Sequence, residues 1–195
     1  MFRLLLLSLM LSLIPLAGHA ATPAEAALAG LPHVSFPAPH RVASGRLQAG
    51  DLAALKRAGI EQVIDLSVDS ETPGFDEAAA MREAGIGYHN LPIHGAGDLN
   101  RDRVRQFDRL LRDAGAQPTL VHCASSNRVG AMIALRAALI DGKSTGTALA
   151  EGRRWGLKSL EPAVRERLQT WSGSPQQGKP EHPAPRSPSS GGGTR

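Results

Sequence analysis

The run from His122 to Arg128 (HCASSNR) places an imidazole, a thiol and a guanidinium within one turn of the chain. Leu120 and Val121 end a short apolar run that predicts a buried strand, and apolar residues at helical spacing follow the turn. The N-terminus of a helix gathers backbone N–H groups and partial positive charge, which stabilise a thiolate and bind anions. Arg128 adds forked donors for a tetrahedral oxyanion. The pattern predicts a nucleophilic Cys123 in an anion site, and the alternative is a buried structural cysteine before an ordinary helix.

Composition and charge narrow the class of protein. The chain has 195 residues, of which 42% are hydrophobic and 4% aromatic, which suits one compact domain with an aliphatic core and tails. The net charge is +4, but basic residues alternate with acids on the helix that precedes the Cys turn, as on a solvated face. No nucleic-acid partner is therefore expected.

The first residues indicate export. Arg3 and the apolar run Leu4–Leu16 are followed by the small-x-small sequence Gly18-His19-Ala20, which predicts a signal peptide over residues 1–20 and a periplasmic location. No second apolar span follows, so no stable membrane insertion is expected after cleavage. Cys123 is the only cysteine and has no disulfide partner within the chain.

The elements that must position Cys123 alternate between strand and helix. The expected domain covers residues 40–171, after a flexible segment at 21–39 and before a disordered tail at 172–195 rich in Gly, Pro and Ser. The expected fold is α/β, a single three-layer domain whose mostly parallel central sheet has helices on both faces, with three helices after the Cys loop. Ligands in such folds bind at the carboxyl ends of strands, where Cys123 lies. The predicted strands are His40–Ser44, Ile60–Leu66, Ile86–Ile93 and the strand before Cys123; the predicted helices are Ala49–Ala58, Asp76–Ala84, Leu99–Ala114, Val129–Ile140, Ser144–Trp155 and Leu160–Trp171.

The order of these features resembles a known superfamily. The chain resembles the compact dual-specificity branch of the protein tyrosine phosphatases. The resemblance rests on this order of features: VIDL, AGIGYHNLPI, a loop with Asp98, an amphipathic helix, VHC, Arg128 and three helices. The bacterial phosphatase-like domain found joined to beta-lactamase-hydrolase-like proteins is the most similar branch, over His40 to Trp171. The resemblance implies that Cys123 attacks phosphorus and Asp98 protonates the leaving oxygen. It also implies that Arg128 holds the phosphoryl oxygens. From the residues themselves, the expected substrate-binding set is the loop Ala124, Ser125, Ser126, Asn127 and Arg128, with His122 as a supporting residue.

The loop departs from the superfamily in length. Four residues separate Cys123 from Arg128, whereas these phosphatases have five, and Ser126 and Val129 stand where many members have Gly and then Ser or Thr. A loop with four intervening residues is similar in length to the loop of single-domain rhodaneses, whose Cys carries a persulfide. A rhodanese-like sulfurtransferase therefore stays as an alternative, and so does a phosphate- or phosphopeptide-binding module without turnover.

Several residues keep two interpretations. Asp98 is the first candidate for the acid and Asp102 the second, but Asp98 is also placed to cap the next helix. His122 either bonds the loop backbone and lowers the pKa of Cys123 or is a satisfied half-buried side chain. A zinc set of His89, His94, His122 and Cys123 matches no familiar spacing, and no metal or cofactor is expected, because the loop and Arg128 supply positive charge. The expected substrate is a phosphorylated small molecule or protein, phosphotyrosine included, and the oligomeric state is left open.

Overall fold

A five-stranded sheet forms the centre of the computed structural model, which describes residues 21–173. The strands are β1 (Ser35–Ala38), β2 (Arg41–Ser44), β3 (Gln62–Asp65), β4 (Gly87–Asn90) and β5 (Thr119–His122). Their order is β1-β2-β5-β3-β4, and every neighbouring pair is parallel except β1 with β2. The mostly parallel α/β sheet predicted from the sequence is confirmed, and β5, which leads into Cys123, is buried along its whole length.

Helices cover both faces of the sheet because successive strand residues point to opposite sides. Val63 and Leu120 pack with the first three helices, whereas Ile64 and Val121 pack with the last four. The three-layer arrangement and the three helices after the Cys loop are as predicted. The helices are α1 (Pro23–Leu28), α2 (Leu52–Arg57), α3 (Glu77–Ala84), α4 (Arg101–Asp113), α5 (Asn127–Leu139), α6 (Thr145–Arg154) and α7 (Glu161–Gly173).

The segment 21–39 differs from the expectation of a loose surface segment, since it contains α1 and β1. Thr22 caps α1 in a reciprocal capping box with Glu25, and Leu28 and Leu31 are buried. Two apolar anchors and a good cap outweigh an Ala- and Pro-rich composition. β1 also pairs with β2, so the edge strand of this side is β1, and the strand predicted at His40–Ser44 lies inside the sheet.

The ends of the chain bear on two other expectations. The predicted signal peptide and nearly all of the predicted tail lie outside the described residues, although α7 continues to Gly173, two residues into that tail. Within residues 21–173, no helix is both long enough and apolar enough to cross a membrane.

The amphipathic α4 is less fully solvated than its charge pattern indicates. Asp108 is buried, with its two oxygens 2.9 Å from Arg136 Nε and 2.8 Å from Arg112 Nη1. The contact to Arg136 crosses to α5, so this carboxylate links the helix after the Asp98 loop to the helix after the Cys loop. A cross-helix ion pair of this kind has no local sequence signal.

Helix α5 approaches the α6–α7 connection closely at Gly130. A Cβ at this position would lie 2.1 Å from Leu157 N and 2.5 Å from Gly152 O, both backbone atoms that cannot rotate away. Gly130→Ala should therefore lower the free energy of unfolding by about 1–3 kcal/mol, measured by denaturant titration. Gly146→Ala in α6, where a Cβ meets nothing within 4 Å, is the control and should leave stability unchanged or slightly raised. Equal effects of the two substitutions would contradict the close approach.

Candidate active site

Cys123 lies where the central strand of the sheet turns into α5, and it is 1% exposed. The turn is fixed against the segment after β2 by a bridge between Gly45 and Ser125, with Arg46 N donating to Ala124 O at 3.4 Å. Because β2, β3 and β5 are parallel, this turn lies at the edge of the sheet to which their carboxyl ends point. The structure thus places Cys123 where the sequence predicted it.

Ser126 adopts a left-handed backbone conformation with φ 61°. Such a φ is uncommon for a residue with a side chain and is kept only where the surroundings impose it. The Ser126 hydroxyl donates to His33 O at 3.1 Å. On the other side Gly156 is so close that a Cβ added to it would lie 2.4 Å from the Cβ of Ser126. The resemblance expects glycine at this position. Here a serine adopts the left-handed conformation that glycine favours, and it is held between His33 and Gly156.

The loop offers backbone donors to a ligand more than side chains. Asn127, predicted to bind substrate, instead donates to Ser159 Oγ at 2.7 Å and accepts from Lys158 N at 2.8 Å. The first hydrogen bond of α5 runs from Gly130 N to Ser126 O, so the N–H groups of residues 127–129 have no acceptor within the helix. Free N–H groups at the start of a helix suit an anion.

Arg128 is 8% exposed and connects three loops. Its Nη1 donates to Ile93 O at 2.9 Å and to Leu66 O at 3.3 Å; Ile93 lies in the segment that follows β4, and Leu66 directly follows β3. Its two terminal nitrogens bind Glu71 through Nη1–Oε1 at 3.0 Å and Nη2–Oε2 at 2.5 Å. Burial alone would lower the pKa of Arg128, but the hydrogen bond to Glu71 and the charge of that carboxylate raise it.

These contacts leave one edge of the guanidinium for a ligand. A guanidinium has five N–H donors, and the acceptors from Leu66, Ile93 and Glu71 use Nη1 and one side of Nη2. The edge formed by Nε and Nη2 is not used by these contacts, and its two N–H groups suit an oxyanion. Glu71 was not identified from the sequence because it lies in a polar loop and its partner, Arg128 in α5, is 57 residues away.

Asp98 lies on a 3-10 turn, Ala96–Asp98, in the loop that begins after Ile93. Its Oδ2 accepts the backbone N–H of His94 at 2.8 Å and lies 2.8 Å from His94 Nδ1, and these contacts lower the pKa of Asp98. Asn100, and not Asp98, caps α4 by accepting from Arg103 N at 2.9 Å. The capping alternative for Asp98 is therefore wrong, and its carboxylate is instead held inside its own loop.

The second candidate acid, Asp102, has a different environment. Its side chain is 85% exposed on α4 and lies 3.0 Å from Arg105 Nη1. An exposed carboxylate paired to an arginine one turn away has the character of a solvated helix face. Asp98 is the better placed of the two, because Arg128 holds the start of its loop through Ile93 O.

The histidines do not gather into the zinc set considered from the sequence. His89 and His94 are exposed, whereas His122 and Cys123 are buried. Successive residues along a strand point to opposite faces of the sheet. His122 points toward α3, where its Nε2 lies 2.8 Å from Glu77 Oε1. Neither ring nitrogen has a hydrogen-bond partner among the described residues, so the predicted bond to the loop backbone is not formed.

The sequence comparison identifies the family. Residues 35–140 match the family described as beta-lactamase hydrolase-like protein, phosphatase-like domain, and the match includes β1 to β5 and the whole Cys123–Arg128 loop. The chain belongs to this phosphatase-like family. The resemblance inferred from the HC…R loop and the elements around it is therefore confirmed. No curated protein is significantly similar to the chain in sequence.

Solved structures share the fold of this phosphatase-like domain. A phosphatase candidate of the DUF442 group from Shewanella putrefaciens CN-32 is 23% identical, with 76% of this chain and 96% of that chain covered and a TM-score of 0.59. A phosphatase candidate from Neisseria meningitidis Z2491 is 24% identical over 71% and 97% of the two chains, with a TM-score of 0.59. TpbA from P. aeruginosa, as a Cys-to-Ser variant in complex with phosphotyrosine, is 21% identical over 77% and 87%, with a TM-score of 0.56.

The Glu71–Arg128 pair of this phosphatase-like domain generates a prediction that needs no knowledge of the substrate. Glu71→Gln removes the charge opposite a buried guanidinium and should lower the free energy of unfolding by about 1–3 kcal/mol. Added phosphate or vanadate should restore part of that loss, because the oxyanion supplies the missing negative charge. Thermal unfolding with and without the anion measures both effects.

The matched control is Glu83→Gln on α3, where the side chain is exposed. This substitution should change neither the stability nor the response to the anion. A Glu71→Gln protein that equals wild type in both measurements would show that the ion pair does not hold Arg128.

Proposed function

We propose that the protein is a cysteine-dependent phosphatase that hydrolyses phosphomonoesters through a phosphocysteine intermediate. The observation that carries the proposal is the arrangement of Arg128 on the loop that begins at Cys123: Glu71 and two carbonyl groups occupy Nη1 and one side of Nη2, which leaves the edge formed by Nε and Nη2. An arginine oriented in this way presents two parallel N–H groups to an oxyanion beside a nucleophile. Membership of a phosphatase-like family supports the same chemistry.

The proposed reaction has two steps. The Cys123 thiolate attacks phosphorus, the bond from phosphorus to the leaving oxygen breaks, and Asp98 donates its proton to that oxygen. Water then attacks the phosphocysteine, the ionised Asp98 takes a proton from it, and the sulfur–phosphorus bond breaks to release phosphate and thiolate. Arg128 and the N–H groups at the start of α5 stabilise the charge on the three equatorial oxygens in both steps.

Two observations favour aryl phosphates such as phosphotyrosine among the possible esters. Cys123 is almost wholly buried, so a phosphoryl group that projects on a long, narrow side chain reaches it most easily. TpbA, which shares the fold, has been solved with phosphotyrosine bound. The substrate we infer is a phosphorylated protein or small molecule of this shape.

The place of action that we propose is the periplasm, after removal of residues 1–20. The support is the sequence pattern alone: a basic residue, an apolar run and a small-x-small site. Edman sequencing of the secreted protein should begin at Ala21. An intact N-terminus on protein recovered from the cytoplasmic fraction would contradict export.

A sulfurtransferase remains the second candidate because only four residues separate Cys123 from Arg128. In that reaction the Cys123 thiolate takes the outer sulfur of thiosulfate and sulfite leaves. Cyanide then takes that sulfur from the persulfide as thiocyanate, which regenerates the thiolate. The family match and the three helices after the loop favour the phosphatase.

One set of assays tests the proposal against both alternatives. The protein without its first 20 residues should hydrolyse p-nitrophenyl phosphate and show no thiosulfate:cyanide transfer. Cys123→Ser should bind vanadate and turn nothing over, and Arg128→Lys should lose about 10²–10³-fold in kcat/KM, since it keeps the charge but loses the parallel donors. Thiosulfate turnover without phosphatase activity would establish the sulfurtransferase, and vanadate binding without any turnover would establish a binding module.

The role of Asp98 predicts a dependence on the leaving group. Asp98→Asn should slow alkyl phosphates by about 10²–10⁴-fold and activated aryl phosphates far less, because only a poor leaving group needs the proton. Asp98 acts in its protonated form, so wild-type activity should fall as the pH rises through its pKa, which the contacts with His94 lower. That basic limb of the pH profile should vanish in Asp98→Asn.

Asp102→Asn is the control for the acid, because its exposed carboxylate lies on α4. It should behave as wild type toward both kinds of ester. If Asp102→Asn rather than Asp98→Asn showed the dependence on the leaving group, the roles assigned to the two carboxylates would be reversed.

A further inference from the structure

Three buried ionisable side chains meet on the α3 side of the sheet. Asp65 at the end of β3 and Glu77 at the start of α3 are each 4% exposed, and His122 at the end of β5 is 0% exposed. One ligand atom from each lies within 4.8 Å of the other two. One imidazole, even when protonated, cannot balance the charge of two carboxylates. Buried charges are costly unless they are paired or bind a metal.

The contacts within this cluster are close but poorly aligned. His122 Nε2 lies 2.8 Å from Glu77 Oε1 and 3.5 Å from Asp65 Oδ1. By distance the first contact is an ion pair, yet neither ring nitrogen of His122 and neither oxygen of Glu77 has a hydrogen bond of acceptable geometry among residues 21–173. A hydrogen bond weakens steeply when its donor, hydrogen and acceptor are not in line, so the short distance alone does not make this contact a strong one. Ligand atoms around a shared ion lie this close without pointing at one another.

Hydrogen bonds from neighbouring residues orient the Asp65 carboxylate, as they do for carboxylates that bind a metal. Its Oδ2 accepts from Tyr88 Oη at 3.0 Å and from Asn90 Nδ2 at 3.1 Å, and its Oδ1 accepts from Ser67 N at 2.7 Å. These three hydrogen bonds hold the carboxylate in one orientation. Hydrogen bonds of this kind commonly hold metal-binding carboxylates in place.

A cavity of about 370 Å³ gives access to the cluster. Asp65 and Glu77 line it together with Asp69, Asp76, Tyr88 and Asn90, and its other three lining residues are Thr72, Phe75 and Ala78. Four carboxylates and no basic side chain among these nine residues make the cavity attractive to cations. An ion can therefore reach Asp65 and Glu77 from solvent, and His122 lies directly behind them, with its Nε2 2.8 Å from Glu77 Oε1.

We propose that Asp65, Glu77 and His122 bind one divalent transition-metal ion, and that Zn²⁺ is the ion that fits best. Zinc accepts imidazole nitrogen and carboxylate oxygen, and sites with three protein ligands and one open position are common for it. The imidazole disfavours Mg²⁺ and Ca²⁺, which take oxygen ligands. The bound ion joins the end of β5, one residue before Cys123, to β3 and α3, and this structural role does not depend on the proposed phosphatase activity.

Metal content and thermal stability test the proposal without an activity assay. Untagged protein is stripped with a chelator, dialysed and reloaded with Zn²⁺, and the bound metal is counted by mass spectrometry. One Zn²⁺ per chain is expected, with a rise in Tm of about 5–10 °C at free Zn²⁺ roughly 100-fold above its Kd. Mg²⁺ at the same concentration should leave the Tm unchanged.

Variants then locate the ion. Glu77→Gln should weaken Zn²⁺ binding at least tenfold and lose the rise in Tm, while its metal-free form should melt no lower than metal-free wild type, because a buried unpaired charge has been removed. Glu83→Gln on the exposed face of α3 should bind as wild type does. Cys123→Ser should also keep the ion, since the thiol is not a ligand in this site.

Three results would overturn the proposal. Wild-type protein that retains far less than one Zn²⁺ per chain would leave the cluster as a metal-free ion pair. A rise in Tm that survives Glu77→Gln would place the ion elsewhere. Binding that is lost in Cys123→Ser but kept in Glu77→Gln would place it on the Cys loop.

Discussion

The buried guanidinium of Arg128 is the interaction on which the candidate site depends. A permanent positive charge at 8% exposure has to be compensated, and the protein supplies one carboxylate and two backbone carbonyls for this purpose. Those carbonyls belong to the segments that leave β3 and β4, so one side chain on α5 holds together the loops at the carboxyl ends of three neighbouring parallel strands. An oxyanion near Cys123 would add a second negative partner on the remaining edge.

The sheet separates two centres of opposite charge that share one strand end. Cys123 packs with the helices that follow it, while His122 points toward α3 and the carboxylates Asp65 and Glu77. The alternation of side chains along an extended strand places these two residues on opposite faces. The positive centre around Arg128 suits an anion, whereas the acidic cluster on the other face suits a cation. A change that displaced the end of β5 would therefore disturb both centres together.

The sequence predicted what depends on local pattern. The strand before Cys123, the helix after it and the α/β sheet follow from apolar runs and their spacing, and the turn between them follows from those two elements. The capping interpretation of Asp98 failed because Asn100 lies two residues later and is an equally good cap. Composition misled the prediction for residues 21–39, where two buried leucines and a capping box produce α1 and its packing. Glu71 and Glu77 were missed because their partners lie far along the chain, and pairing across the fold leaves no trace in spacing.

Chemical trapping of the intermediate tests the central claim most directly. Wild-type protein mixed with an aryl phosphate and quenched in acid within milliseconds should carry a phosphoryl group on the peptide that contains Cys123, located by mass spectrometry. The account predicts that this adduct forms and decays at rates compatible with turnover, and that it is absent in Cys123→Ser. Hydrolysis that proceeds without an adduct on Cys123, or with the phosphoryl group on another residue, would contradict it.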